Sequence, residues 1–249
     1  MISFIDANCM LGQRMNVREG SLKTTQDVVE MMDRVGIVRA ICYHSVAKEN
    51  VPAVGNPLLN DEVGEDSRFL KQWVVMPNFW EEYMDPDRLL VEMKANGVTS
   101  VRMCPQHHAF SMAPYSAGEL IEALTEKNVP IFIEKDQIPT WEDVHKICKN
   151  FPQARFVLLE PGYRCVRQLA PILKQCDNLW VETSNLLMHM GISEFCKFHG
   201  AERLIFGSGA PLQSMAAAVS QIRYSDISEK EMKMIASENI TRLLGEVSL

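Results

Sequence analysis

The chain has 249 residues, 47% of them apolar, and a formal net charge of −7 at pH 7. This length and apolar content suit a single α/β domain over residues 1–249, since α/β barrels commonly occupy this length whole. The acidic balance argues against nucleic acid or an anionic membrane as a partner, because neither attracts a negatively charged surface.

The sequence also lacks export and disulfide patterns. It contains neither a run of about 18 apolar residues nor a Lys/Arg-led apolar leader. Seven cysteines, an odd number without a Cys-x-x-Cys pair, do not form a disulfide or zinc-finger pattern. We therefore expect a cytoplasmic protein without a membrane partner. Cys9, Cys42 and Cys104 fall at or near predicted strands, and we interpret them as small core residues.

Short apolar strands alternate with helical segments along the whole chain. The eight predicted strands are Ile2–Asn8, Val38–Tyr43, Phe69–Met76, Thr99–Cys104, Pro130–Ile133, Arg155–Leu159, Leu179–Glu182 and Leu204–Phe206. Apolar spacing, caps and glycine stops predict nine helices. Eight of them are Thr24–Val35, Asn56–Glu65, Pro86–Asn96, Val144–Lys149, Cys165–Gln175, Ile192–Phe198, Ser214–Arg223 and Ser228–Leu244. The other begins at a capping box at Ser116, and Thr140 is the predicted cap of Val144–Lys149.

This alternation predicts the α/β fold class and, within it, a single-domain (β/α)8 TIM barrel. Parallel neighbours need helical crossovers, and closing the sheet removes its exposed edges. The functional site of such a barrel lies at the carboxyl ends of the strands, so the residues that end each predicted strand are the candidates.

The first strand carries Asp6, Asn8, Met10 and Gly12 at alternate positions. Because strand side chains have a period of two, Asn8 and Met10 are expected to face one cavity. The segment resembles the Asp-x-His-x-His-x-Gly signature of the amidohydrolase-related (amidohydrolase 2 type) metal-dependent hydrolases. The stretches 201–211 (Ala-Glu-Arg-Leu-Ile-Phe-Gly-Ser-Gly-Ala-Pro) and 238–245 (Glu-Asn-Ile-Thr-Arg-Leu-Leu-Gly) are similar to two further motifs of that family.

This resemblance implies that the metal-ligand positions of the family are substituted. Asn8 and Met10 stand where the family has two histidines, Glu134 and Glu160 where it has the histidines that end strands five and six, and Gly209 where it has an aspartate. An amide and a thioether are poor zinc ligands. The chain therefore resembles a divergent member of the family. We expect no cofactor, and zinc is disfavoured. Binding of Mg²⁺ or Mn²⁺ remains an alternative, because Asn8, Glu134 and Glu160 offer oxygen atoms.

Glu134 and Glu160 are the first candidates for catalysis. On neighbouring strands roughly 4.8 Å apart, their carboxylates would share one small volume, and repulsion should raise one pKa. One protonated and one ionised carboxyl make a possible acid/base pair. The alternative is that each is tied to a nearby arginine or backbone amide.

Further candidates follow the strand ends. Arg102 is either an anion clamp for substrate or an ion-pair partner of Glu134, and Arg164 is a second possible clamp. His44 and His108 follow strands two and four as possible proton carriers or as half-exposed structural histidines, and His108 is favoured as catalytic. With Asn8 and Met10, we assign Arg102, Arg164, His44 and Ser208 to substrate binding.

Three functions remain open from the sequence. The first is a hydrolase or lyase that uses the Glu134/Glu160 pair, without zinc, on a small polar substrate bearing a carboxylate or hydroxyl group. The second is a hydrolase that depends on a hard cation, and the third is an inactive barrel that binds a metabolite or a protein partner. The loops at Gln13–Lys23, Gln106–Ser116 and Pro161–Arg164 are expected to set specificity, and a homo-oligomer is possible.

Overall fold

The computed structural model describes residues 2–14, 22 and 24–249, and eight parallel strands dominate it. Each strand pairs with the next one along the chain, in the order β1 to β8. Beyond the ladder, Cys9 bridges Ala210 in parallel, and the Met10 N–H donates to the Ala210 carbonyl at 2.9 Å, which brings the last strand back to the first. The strands are Phe4–Leu11 (β1), Ile37–His44 (β2), Phe69–Val75 (β3), Ser100–Met103 (β4), Ile131–Glu134 (β5), Phe156–Leu159 (β6), Leu179–Glu182 (β7) and Leu204–Ile205 (β8).

Helices connect these strands and surround them, which confirms the predicted (β/α)8 TIM barrel. They are Thr25–Val35 (α1), Ser45–Glu49 (α2), Pro52–Val63 (α3), Pro86–Ala95 (α4), Pro114–Glu126 (α5), Trp141–Asn150 (α6), Val166–Leu173 (α7), Gly191–His199 (α8), Met215–Arg223 (α9), Glu229–Lys233 (α10) and Asn239–Gly245 (α11). Short 3-10 segments cover Lys135–Gln137 and Ala201–Arg203, and a π-helical segment covers Met234–Glu238.

Two of the three predicted helix caps are confirmed. Thr140 caps α6 and Ser228 caps α10, each through a reciprocal capping box. The box predicted at Ser116 was wrong: α5 begins at Pro114, whose fixed φ suits the first helical position. The Ser116 Oγ instead accepts the backbone N–H of Ser111 at 3.3 Å.

The end of β1 and the segment after β2 also differ from prediction. β1 runs on to Leu11 because Cys9, Met10 and Leu11 pair with Cys42, Tyr43 and His44 of β2. After β2, the unpredicted helix α2 is capped by the His44 side chain, which accepts the Val46 N–H at 3.2 Å. α3 then starts at Pro52, ahead of the predicted Asn56, because this proline occupies its first turn.

Apolar residues fill the barrel interior and the layer between strands and helices. Inside the barrel, strand residues pack against Ile240 and Leu243 of α11. These strand residues are Ile5, Ala7, Ile41, Phe132, Val157, Leu159 and Ile205. The register of β1 shifts between Asp6 and Cys9, after which Cys9 and Leu11 join the outer layer. All seven cysteines are buried, and the core positions predicted for Cys9, Cys42 and Cys104 are confirmed. Among the described residues, no helix is both long enough and apolar enough to cross a bilayer.

The contact of α2 with α3 requires a glycine at position 55. A Cβ built there would lie 2.0 Å from the backbone nitrogen of Ala47, whereas one built on Gly118 of α5 would meet only the Pro114 Cβ, at 3.8 Å. We expect Gly55→Ala to lower the free energy of unfolding by about 1–3 kcal/mol through overpacking. Gly118→Ala should raise it by up to about 1 kcal/mol, the helix-propensity difference. Urea unfolding of both variants checks this, and a stabilised Gly55→Ala protein would contradict the packing described.

Candidate active site

The guanidinium of Arg102 lies at the centre of the barrel mouth and is completely buried. Its Nε donates to Gln72 Oε1 at 3.0 Å, its Nη1 to Glu134 Oε1 at 2.5 Å and its Nη2 to Asn8 Oδ1 at 2.8 Å. The guanidinium carbon also lies 3.7 Å from the ring centroid of Tyr43. Arg102 thus occupies the ion-pair position that the sequence left as an alternative to a substrate clamp, because protein groups already take each of its three nitrogens.

Glu134 lies between two cations. Its Oε1 accepts from Arg102 and its Oε2 accepts from the Lys48 ammonium, at 2.5 Å in each case. Burial would raise the pKa of this carboxyl, but the charges and hydrogen bonds of Arg102 and Lys48 outweigh burial and lower the pKa. Glu134 is therefore held ionised, with both oxygens engaged.

Glu160 follows β6 and has a different environment. Asn8 Nδ2 donates to its Oε1 at 3.4 Å and Asn185 Nδ2 to its Oε2 at 3.1 Å. Burial, followed by repulsion from Glu134, raises the pKa of Glu160 against the opposing effect of Arg102 and Lys48. The pKa of one carboxyl of the pair is therefore raised, but burial is the larger cause and the predicted repulsion is the second.

The backbone of Glu160 is in the left-handed region, with φ at 48°, and so is that of Asn185, with φ at 57°. Non-glycine residues adopt this region at a cost, and such residues concentrate at functional sites. Here both left-handed residues hydrogen-bond each other through their side chains across the loops after β6 and β7.

A third glutamate at a strand end, Glu182 of β7, binds the backbone of Glu160. Its Oε2 accepts the Glu160 backbone N–H at 3.2 Å and the Ser184 hydroxyl at 2.6 Å, and its Oε1 accepts the Ser184 N–H at 2.5 Å. Burial raises the pKa of Glu182 to about 7, against the opposing hydrogen bonds from Ser184 and Glu160. Glu182 therefore helps to hold the backbone turn that presents Glu160.

Two further predicted site residues border this cluster. Met10 packs inside the barrel with Tyr43, Ala47, Val74 and Cys104. The half-buried His108 places its Nε2 3.1 Å from the Lys48 carbonyl, while its buried Nδ1 has no hydrogen-bond partner among the residues that the structure describes. Burial lowers the pKa of His108. The lowered pKa favours the neutral imidazole, whose Nε2 lies next to the Lys48 carbonyl.

The remaining three predicted site residues lie outside the cluster. Ser208 is completely buried, donates its hydroxyl to Asp6 and accepts the Ala210 N–H at 3.1 Å. Asp6 also accepts the N–H groups of Asn8 and Ser208, and it therefore ties β1 to the segment after β8. His44 caps α2 and places its Nε2 3.3 Å from Glu62.

Arg164 is exposed on the loop after β6, and its guanidinium carbon lies 5.2 Å from the ring centroid of Tyr163. Tyr163 borders a cleft of about 480 Å³ between the loops that follow β6, β7 and β8. The cleft is lined by Tyr163, Ser184, Asn185, Leu187, Met188, His189, Gln213, Ser214, Ala217, Ala218 and Gln221. It is of the size that small ligands occupy, and Asn185 connects it to Glu160. Of the predicted specificity loop Gln13–Lys23, residues 15–21 and 23 lie outside the described residues.

Sequence reasoning missed Lys48, Asn185 and Glu182. Glu182 had a visible signal, because β7 ends in glutamate in the same way as β5. Lys48 lies on α2, four residues after the end of β2, and α2 was not predicted. Asn185 follows the end of β7 closely, so counting polar residues just beyond each predicted strand would have included it.

The fold and the polar cluster at the strand ends define an enzyme-like (β/α)8 barrel. Residues 24–245 match a family model described as amidohydrolase. Because this match covers most of the chain, the chain belongs to the amidohydrolase family. A search of curated protein sequences gave no match.

Solved structures share the whole architecture at low identity. An uncharacterized TIM-barrel protein from Bordetella bronchiseptica is 16% identical, with a TM-score of 0.78 over 98% of this chain and 99% of that one. A 2,6-dihydroxybenzoate decarboxylase from Rhizobium is 14% identical, with a TM-score of 0.74 over 98% of this chain and 99% of that one. A 5-carboxyvanillate decarboxylase from Novosphingobium aromaticivorans, complexed with manganese and 4-hydroxy-3-methoxy-5-nitrobenzoic acid, is 14% identical, with a TM-score of 0.75 over 98% of this chain and 96% of that one. At these identities the likeness shows the fold.

The raised pKa of Glu182 gives a testable dependence of stability on pH. Between its ordinary value of 4.5 and about 7, the folded protein keeps a proton that the unfolded chain has released. The free energy of unfolding should therefore fall as pH rises through this window, by on the order of 3 kcal/mol at about 1.4 kcal/mol per pKa unit. In Glu182→Gln this contribution should be absent.

Urea unfolding between pH 4 and 8 measures the difference between the wild type and Glu182→Gln. Glu122→Gln, on the exposed side of α5, is the matched control and should follow the wild type. A Glu182→Gln protein with the wild-type slope would show that the carboxyl of Glu182 titrates normally.

Proposed function

We propose that this protein is a lyase that removes the carboxylate of a small, hydroxyl-bearing organic acid, with Glu160 as the proton donor. The observation that carries the proposal is the continuous chain of contacts from Lys48 through Glu134, Arg102 and Asn8 to Glu160. This chain of contacts joins an acid of lowered pKa, Glu134, to an acid of raised pKa, Glu160, so that the two acids can take distinct electrostatic roles.

The charges of this cluster favour an anionic substrate. Lys48 and Arg102 carry two positive charges against the single negative charge of Glu134, and Glu160 adds none in the protonated form that donates the proton. The balance is one positive charge in a largely buried site, where the effective dielectric constant is low. Lys48 is the cation that is not completely buried, with 13% of its side chain exposed, and its ammonium has three N–H groups. We assign to Lys48 the contact with the substrate carboxylate.

The two glutamates support a lyase better than a hydrolase. A hydrolase that used this pair would need a free carboxylate to take a proton from water, but both oxygens of Glu134 accept hydrogen bonds from cations. A lyase needs an acid, which the raised pKa of Glu160 provides. In this step the proton of Glu160 passes to the substrate carbon that bears the carboxylate. The bond to that carboxylate breaks, CO₂ leaves, and the electron pair stays on the substrate.

The cleft beside Asn185 provides room for the body of the substrate. Its lining combines the amides of Asn185, Gln213 and Gln221 with apolar side chains such as Leu187 and Met188. Amides pair with hydroxyl groups, and the apolar side chains suit a ring or short hydrocarbon. The decarboxylases of similar fold act on hydroxylated aromatic acids, and their substrates are therefore the first probes to test.

Release of CO₂ from 2,6-dihydroxybenzoate and 5-carboxyvanillate, followed by coupled assay, tests the proposal. We expect Glu160→Gln to lower kcat by about 10²–10⁴, the usual contribution of a positioned acid. Glu122→Gln should keep the wild-type rate, and circular dichroism and thermal unfolding verify that both variants are folded. Full activity in folded Glu160→Gln would contradict the assigned role.

The same assay separates the alternatives. Hydrolysis of 4-nitrophenyl esters without CO₂ release from any small carboxylate would contradict the lyase and favour a hydrolase. A rise in Tm with 2,6-dihydroxybenzoate but no turnover would favour the alternative of a barrel that binds a metabolite without transforming it.

Lys48 gives a second, separable prediction. Lys48→Met should raise KM for a carboxylate by about tenfold or more, because a charge-assisted hydrogen bond contributes about 1.5–3 kcal/mol. Lys48→Arg, which keeps the charge, should recover most of the affinity. Steady-state kinetics on both variants measure the change, and an unchanged KM in Lys48→Met would place the substrate carboxylate elsewhere.

A further inference from the structure

The five positions that correspond to the family's metal ligands lie together in this protein. Asn8 contacts Glu160 directly and Glu134 through Arg102, and the Gly209 N–H donates to the Asn8 carbonyl at 3.0 Å. Met10 lies two residues beyond Asn8 on the same strand. The architecture of a metal site is therefore kept, and the question is whether its donor atoms fit a metal ion.

They do not fit, because other groups hold the donors. Asn8 Oδ1 and Glu134 Oε1 accept from Arg102, and Glu134 Oε2 accepts from Lys48. Both oxygens of Glu160 accept from side-chain amides. All five side-chain oxygens of Asn8, Glu134 and Glu160 are therefore hydrogen-bonded, three of them to cations.

The other two positions add no oxygen. Met10 offers a thioether, which hard cations do not select. Gly209 has no side chain, and a Cβ at this position would lie 2.9 Å from Gln213 Nε2, so an acidic side chain would displace Gln213. Within residues 2–14, 22 and 24–249, no three His, Cys, Asp or Glu side chains are grouped so that they could hold a metal ion.

We propose that the side chains of Arg102 and Lys48 stand in place of the divalent cation of the family. A guanidinium and an ammonium together carry two positive charges, the charge of Mn²⁺ or Zn²⁺. They use the same oxygen atoms, so a metal ion would have to displace a cation from each oxygen that it takes. It would then lie within a few ångströms of both cations at low dielectric, where like charges repel strongly. The barrel thus provides its positive charge from the chain itself.

This inference does not rest on the proposed reaction. It concerns the occupant of the barrel mouth and can be tested without any substrate, so its failure and that of the lyase are separate results. The fixed cations differ from a metal ion in two respects: they cannot be removed by chelators, and their charge does not depend on metal supply.

The test uses the full-length protein with metal salts as probes. We expect wild-type protein purified without chelator to contain far less than one equivalent of Mn, Zn or Mg by inductively coupled plasma mass spectrometry. Its Tm should change by less than about 1 °C in 1 mM MnCl₂ or ZnCl₂, since a ligand that does not bind the folded state cannot stabilise it. Stoichiometric metal, or a clear stabilisation by either salt, would overturn the inference.

Lys48→Met shows whether the ammonium itself excludes the metal. It frees Glu134 Oε2 and removes one positive charge, so we expect a rise of Tm in MnCl₂ that the wild type lacks. Lys48→Arg is the matched control and should stay unresponsive. A folded Lys48→Met protein that MnCl₂ does not stabilise would contradict the replacement, and if this variant does not fold, the wild-type metal content and Tm response decide the question.

Discussion

The buried guanidinium of Arg102 is the constraint on which the rest of the barrel mouth depends. A charge that is completely buried is tolerated only when it is paired and its N–H groups are hydrogen-bonded. Arg102 of β4 meets this requirement with Gln72 of β3, Glu134 of β5 and Asn8 of β1, and it lies over the ring of Tyr43 of β2. One side chain therefore ties together five of the eight strands at their functional ends. The loss of any partner would leave an uncompensated group in the interior.

The properties of the two central glutamates follow from that arrangement. Glu134 lies next to Arg102 and Lys48 and stays ionised, while Glu160 is separated from the guanidinium by the Asn8 amide and has a raised pKa. The left-handed backbone of Glu160 and the hydrogen bond of its N–H to Glu182 show that the fold accepts local strain to hold this acid in place. Identical side chains thus acquire different chemistry from their neighbours.

The sequence predicted the fold well because the barrel is encoded locally. Each strand is a short apolar run, each helix has its own spacing and caps, and the parallel alternation leaves few topologies. The same logic placed Glu134 and Glu160 at neighbouring strand ends. It named Arg102 as an ion-pair partner of Glu134 but could not decide between that role and a substrate clamp. That Lys48 reaches Glu134 from α2, or that Ser208 bonds Asp6, depends on contacts between residues far apart in the chain and could not be predicted. Glu182 could have been found from its strand-ending position, but its hydrogen bonds to Ser184 and Glu160 could not.

The side chains of Arg102 and Lys48, and not a metal ion, provide the positive charge at the centre of the barrel mouth. A crystal structure of the wild-type protein grown in MnCl₂, with anomalous data collected at the manganese edge, tests it most directly. The account predicts no anomalous peak between Asn8, Glu134 and Glu160, and Arg102 hydrogen-bonded to Asn8 and Glu134. A well-occupied manganese peak among these three side chains, with Arg102 displaced from them, would contradict it.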